Sequence, residues 1–180
     1  MACDRGDKMS DLGFKLMVFI YWVVDLFYSP EKRLETLKIR PGVALLDYGC
    51  GPGRYLKGFC SAVGKNGKVY AADIHELALH YSKKRMEKHG LGNVELVPVR
   101  DYHCDIADNN VDIICAFDML HQVTEPNRLF KELHRMIKRD GTLILDDGHQ
   151  KRDLTKRQID ESRLWKIIEE KKDHLKCSPK

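Results

Sequence analysis

A chain of 180 residues, 43% hydrophobic and 32% charged, is long enough to bury a full core and has the make-up of a globular domain, which excludes a fibrous or disordered protein. Its net charge of +4 lies wholly in residues 151–180, which hold ten Lys/Arg against six Asp/Glu, whereas residues 1–150 hold 21 of each. With no basic stripe interleaved with aromatics, that excess reads as a solvated face, and nucleic acid is not an expected partner. Cysteines at 3, 50, 60, 104, 115 and 177 form no Cys-x-x-Cys pair. They are expected as reduced thiols of a cytoplasmic protein rather than a disulfide framework. His103-Cys104-Asp105 carries metal-ligand types without a partner cluster at zinc spacing, so no metal is expected there.

In chain order, the first element is the apolar run Leu16 to Val24, nine residues long against the ~20 needed to span a bilayer. Asp25 interrupts it and Tyr28-Ser29-Pro30 ends it, so it predicts a helix over Phe14 to Phe27 and no membrane span. A stretch this apolar and aromatic must cover something, either a ligand cleft or the same helix of a second copy in a homodimer. Residues 1–40 are therefore expected as a helical cap on one domain whose core is 41–180.

Val43-Ala-Leu-Leu is a short buried strand that runs into Asp47, the glycine-rich turn Gly49-Cys-Gly51-Pro-Gly53, and an apolar helical pattern starting at Leu56. Strand, glycine turn and helix form the half-unit that brings backbone N–H groups up to a polar ligand. The spacing is not Gly-x-Gly-x-x-Gly, because the third glycine falls one place early, and no Gly-x-x-x-x-Gly-Lys-Ser/Thr segment exists, so neither a dinucleotide nor a P-loop site is expected.

Lys68 to Ala72 is a second strand ending in Asp73, followed by a helix from about Glu76 to His89 that closes at Gly90. Val94 to Val99 is a third strand, with Pro98 suggesting a strand end or edge. Val111 to Phe117 is a fourth, Pro126 to Lys138 is a helix with apolar side chains at 3.6-residue spacing, and Thr142 to Leu145 is a fifth strand. The last 25 residues fit either a helical face or two strands of a hairpin with a turn at Lys172-Asp173. Alternation of strand and helix predicts an α/β fold with a doubly wound, mostly parallel sheet and helices on both faces.

Asp-x-Gly-x-Gly-x-Gly at 47–53, taken with the order of the downstream strands, acids and helices, resembles the class I S-adenosylmethionine-dependent methyltransferases of the small-molecule type. The resemblance covers roughly residues 30–180 and implies a Rossmann-like sheet that closes with an antiparallel strand pair, which favours the hairpin reading of the tail. It implies S-adenosylmethionine as cofactor, with Gly49, Gly51 and Gly53 under its methionine part, Asp47 near its ammonium, Asp73 on the ribose hydroxyls and Ile74 against adenine. Asp101 and Tyr102 stand where the family reads the adenine amino group, although Arg100 replaces the usual small residue. The Asp118-Met-Leu-His121-Gln-Val segment resembles the family's Leu-His-His-Val stretch.

Methyl transfer from a sulfonium requires alignment and removal of a proton, not a nucleophilic side chain. A small-molecule acceptor is therefore expected beside the C-terminal strand ends, against Asp118, His121, Asp146, Asp147 and His149, with His121 the expected base and Asp118 its companion. A second reading makes Asp118, Asp146 and Asp147 the cation site of a catechol-type O-methyltransferase, although Asn usually stands at the place of Asp147. A third makes the chain a non-catalytic cofactor-binding partner subunit.

Overall fold

The computed structural model describes residues 8–27 and 29–180; Cys3 and Tyr28 lie outside them. Helix α1 (Asp11–Asp25) begins at Ser10, whose Oγ accepts a hydrogen bond from Gly13 N at 3.2 Å, and the short α2 (Pro30–Glu35) has proline at its first turn. Alternation then sets in as the pattern demands: β1 (Ala44–Tyr48), α3 (Leu56–Val63), β2 (Lys68–Asp73), α4 (Glu76–His89) and β3 (Val94–Arg100). A two-residue β4 (His103–Cys104) precedes β5 (Val111–Ala116), α5 (Pro126–Met136), β6 (Ile137–Leu145) and α6 (Arg152–Ser162). The tail is the hairpin β7 (Trp165–Glu170) and β8 (Leu175–Pro179), paired antiparallel around the turn that holds Lys172-Asp173.

The eight strands form one sheet in the order β4-β3-β2-β1-β5-β6-β8-β7. Strands β3-β2-β1-β5-β6 run parallel, and β4, β8 and β7 are antiparallel additions at the two ends. Each strand contributes alternate side chains to two cores. Leu45, Val69, Ala71 and Cys115 meet Phe59 and Val63 of α3 on one face. Leu46, Tyr70, Ala72 and Ile114 meet Phe130, Leu133 and Met136 of α5 on the other. Near-continuous apolar strands are the signature of a sheet covered on both faces. Trp165, fully buried, anchors the C-terminal hairpin to α5 by donating its indole N–H to Phe130 O at 3.2 Å.

Two boundaries differ from the sequence expectation. The helix over 126–138 stops at Met136, and Ile137 already has extended dihedrals (φ −72°, ψ 142°), so the fifth parallel strand begins five residues earlier than Thr142. Lys138 continues that strand, pairing with Asp112 at 2.7 Å, and a Cβ on Gly141 would come within 2.6 Å of Ile137; glycine there admits the irregular register between β5 and β6. Pro98 sits inside β3, opposite Asp73, and is tolerated because β3 is flanked beyond β2 only by the two-residue β4.

The chain builds the sheet outward from β1 to β3, then returns to the other side of β1 with β5. That reversal opens a crevice at the C-terminal ends of β1 and β5, where ligands bind in open α/β sheets.

Candidate active site

The crevice is a cleft of about 1100 Å³, part of it open to solvent, whose floor is the glycine turn. Gly49 and Gly51 have positive φ (78° and 52°), which a glycine adopts at no steric cost. A Cβ on Gly51 would meet nothing within 4 Å, so this residue leaves the backbone bare toward the cleft. Gly53 differs. Its Cβ would lie 2.8 Å from Leu56 Cδ1 and from Ser82 Oγ, so this glycine lets α4 approach the turn, and it does not line the cleft.

Two buried acids flank the floor. Asp47, 2% exposed at the end of β1, has an Oδ2 with no hydrogen-bond partner. Burial, with the Asp73 charge second, pushes its carboxyl up to about 8. Asp73, at the end of β2, accepts from Gly51 N (2.8 Å) and His75 N (2.7 Å). Burial raises its pKa as well, against the lowering effect of those N–H groups. Ile74 and His75 continue the wall. His75 caps α4 by accepting from Leu77 N at 3.2 Å, and its ring lies 4.5 Å from that of Phe14.

On the β3 side Asp101 and Tyr102 both have positive φ (51° and 68°) and both line the cleft. Asp101 is tied to Arg128 at 2.5 Å, which holds its carboxyl below the usual range. Tyr102 accepts from Glu125 N (3.1 Å) and meets Thr124 (3.2 Å), pinning the loop that leads into α5.

The opposite wall comes from β5, α1 and the turn into α3: Phe117, Asp118, Met17, Tyr21 and Tyr55. Asp118 is forced to φ 53°, and its backbone N donates to Asp146 Oδ1 at 2.9 Å. Burial and the Asp146 charge raise the Asp118 carboxyl. Asp146 is a hub: its Oδ1 also accepts from Gly148 N (3.0 Å), while Arg33 Nη2 donates to Oδ2 at 2.6 Å. The same guanidinium lies 4.1 Å above the Phe117 ring and donates to Tyr55 OH at 3.2 Å. A second cation, Arg54, pairs with Asp25 at 2.6 Å and lies 4.9 Å over Tyr21, whose hydroxyl burial and the Asp118 charge push up to about 12. Neither arginine nor either tyrosine carries a local motif, so only the folded chain reveals them.

His121 falls in the one-turn 3-10 helix Leu120–Gln122 and, unlike Gln122, does not line the cleft. Its Nδ1 is buried against Gly148, where any Cβ would collide with the imidazole, and its ring stands 4.7 Å from that of His149. Burial, then His149, lowers its pKa, so it is neutral at pH 7. The acids expected to share a cation with Asp118 are held by cations of the protein: Asp146 by Arg33, and Asp147 by Arg152 Nε at 2.7 Å.

Residues 39–178 match the family model described as a methyltransferase domain. The chain belongs to that family. Its fold is shared with the crystal structure of an S-adenosylmethionine-dependent methyltransferase from Aquifex aeolicus, at 25% identity and a TM-score of 0.79 over 96% of this chain and 98% of that one. It is 32% identical over 113 residues to a ubiquinone/menaquinone biosynthesis C-methyltransferase of Hydrogenovibrio crunogenus. It is 28% identical over 114 residues to a demethylmenaquinone methyltransferase of Geobacillus kaustophilus. Those stretches are 62% and 63% of this chain, and the chain spans less than half the length of these two curated relatives, 44% and 49%.

S-adenosylmethionine is the cofactor of the class, and the residues present fit it. The bare backbone at Gly51 admits close approach, and the unpartnered Asp47 Oδ2 is a buried acceptor in want of a cationic donor. Buried polar atoms are rarely left without a hydrogen-bond partner.

Proposed function

We propose that this chain transfers a methyl group from S-adenosylmethionine to a small, largely apolar aromatic acceptor. The observation that carries the reading is the Asp47 carboxylate, orphaned and buried beside an open glycine turn, with Asp73 on the other side of that turn. When bound, the cofactor supplies a sulfonium whose methyl carbon is already electrophilic. The protein has to position the acceptor, exclude water and take a proton. Asp47 would receive the ammonium, Asp73 the ribose diol, Ile74 the adenine face, with Asp101 and Tyr102 at its edge. Gly49 and Gly51 would lie under the methionine part, with Gly53 supporting the turn from behind.

The acceptor would lie between Met17 and Tyr21 of α1 and the Tyr55, Phe117 and Asp118 side of the cleft. These walls suit a flat apolar ring, and the quinone-pathway names of the relatives point the same way. Asp118, facing the cleft with a raised pKa, is the proposed proton acceptor, and His121, which does not line the cleft, is proposed to position the loop that carries Asp118. The cation-dependent reading is disfavoured by the arginine partners of Asp146 and Asp147.

The test is transfer of tritium from labelled S-adenosylmethionine to a panel of quinols and other ring hydroxyl compounds, with and without chelator. Asp118→Asn is expected to lower turnover by roughly 100-fold or more, leaving cofactor affinity within about threefold, and His121→Ala to lower it less. Chelator is expected to have no effect. Activity abolished by chelator would restore the cation-dependent alternative, and no transfer to any acceptor would favour the non-catalytic subunit.

A further inference from the structure

Among the described residues, the outer face of α1 carries most of the exposed large apolar side chains. Seven of the nine large hydrophobic side chains exposed among the described residues lie at 12–27, including Leu12 (79% exposed), Trp22 (60%) and Leu26 (63%). The face is a regular one. Leu12, Leu16, Phe19, Val23 and Leu26 repeat with spacings 4-3-4-3, the seam of a helix that packs lengthwise on another helix. At 100° per residue this seam lies opposite Phe14, Met17 and Tyr21, which line the cleft. A helix apolar on both sides is a buried helix, and the described residues of its own domain cover only one of those sides.

We propose that the uncovered side is the contact between two copies of this chain, with α1 of one copy lying antiparallel to α1 of the other. The area fits. At ~200 Å² for each large side chain, the exposed fractions from Leu12 to Phe27 come to roughly 900 Å² per copy, close to the ~800 Å² that each partner contributes to a standard interface and above the ~300–600 Å² patch typical of a monomer. The charges fit as well. Lys15 is the one charged residue within the apolar arc. With a two-fold axis at Phe19, Leu12 faces the partner's Leu26, and Lys15 falls beside the partner's Trp22, a favourable cation–ring position. The antiparallel arrangement also opposes the two helix dipoles. A lipid surface fits less well. Asp11, Lys15 and Asp25 leave the helix without net positive charge, whereas helices that lie on anionic membranes carry Lys/Arg on their polar side.

Sedimentation equilibrium of the full chain at micromolar concentration tests this, together with flotation on phosphatidylcholine–phosphatidylglycerol vesicles. The wild type is expected at twice its 20.8 kDa mass. Leu16→Glu/Phe19→Glu is expected at the single mass with an unchanged circular dichroism spectrum, its dissociation constant raised by roughly 100-fold or more. Mixed Leu12→Cys and Leu26→Cys chains are expected to cross-link to each other in preference to themselves. A monomeric wild type overturns the proposal, whether or not it floats with vesicles; flotation would assign the face to lipid. A double variant that remains dimeric places the interface elsewhere. Self-linking of Leu12→Cys in preference to linking with Leu26→Cys overturns the antiparallel arrangement.

Discussion

Replacing Asp73 by alanine is expected to weaken S-adenosylmethionine binding by about 100-fold, close to 3 kcal/mol. Two causes act together. In the proposed arrangement the carboxylate accepts from both ribose hydroxyls, and hydrogen bonds to a charged group contribute about 1.5–3 kcal/mol each. The same carboxylate holds the turn itself, receiving Gly51 N at 2.8 Å and His75 N at 2.7 Å. Alanine frees both N–H groups and lets the glycine floor drift. Asp73→Asn separates the two effects, because an amide oxygen can still accept from Gly51 N; that variant is expected to lose about tenfold. Calorimetric titration of each variant reads the difference. Affinity unchanged in Asp73→Ala would mean that the ribose is held by other residues.

Asp47→Asn is expected to act in opposite directions on stability and on binding. The folded-state pKa of Asp47, about 8, lies above its ordinary 3.8, so between roughly pH 4 and pH 8 the folded free protein keeps a proton that the unfolded chain has lost. Stability of the free protein therefore falls as pH rises through that window. Asparagine removes this contribution, and the variant is expected to be the more stable at the upper end of the window, read as a Tm difference that grows from pH 5 to pH 8. Binding moves the other way. The cofactor's ammonium requires the ionised carboxylate, so wild-type affinity is expected to rise with pH across the same window with release of a proton. The variant is expected to bind more weakly and without that pH dependence. Equal Tm differences at both ends of the window would contradict the buried, protonated state of Asp47.

Much of this site is legible in the sequence because it is local. The turn at 47–53 and the acid ending the next strand are fixed by chain order: a buried strand must end, a glycine run must come after it, and the parallel neighbour must finish beside it. The hairpin at 165–179 is less legible, because its apolar residues fit a helical face as well as two strands, and the family resemblance rather than the local pattern favours the pairing that β7 and β8 make. What is missed depends on partners far apart in the chain. Arg33 and Asp146 are separated by 113 residues, and no pattern near either announces that the guanidinium stacks on Phe117 and fixes the loop carrying Asp118. Gly53 looks like its two neighbours in sequence, yet its bare Cα faces Ser82 of α4, a contact only packing reveals. Helix α6 gives a weak signal because just Thr155 and Ile159 are buried along it. The limit of the α5 helix at Met136 is set by β-pairing with β5, which overrides the helical pattern continuing to Lys138.

The most direct test of the central claim is a calorimetric titration of the full chain with S-adenosylhomocysteine, run at pH 7 in two buffers of different ionisation enthalpy, with NAD as the comparison ligand. The account expects one molecule bound per chain, heats that differ between buffers because Asp47 gives up its proton, and no comparable heat from NAD. Absence of heat with S-adenosylhomocysteine, or equal binding of NAD, would contradict it.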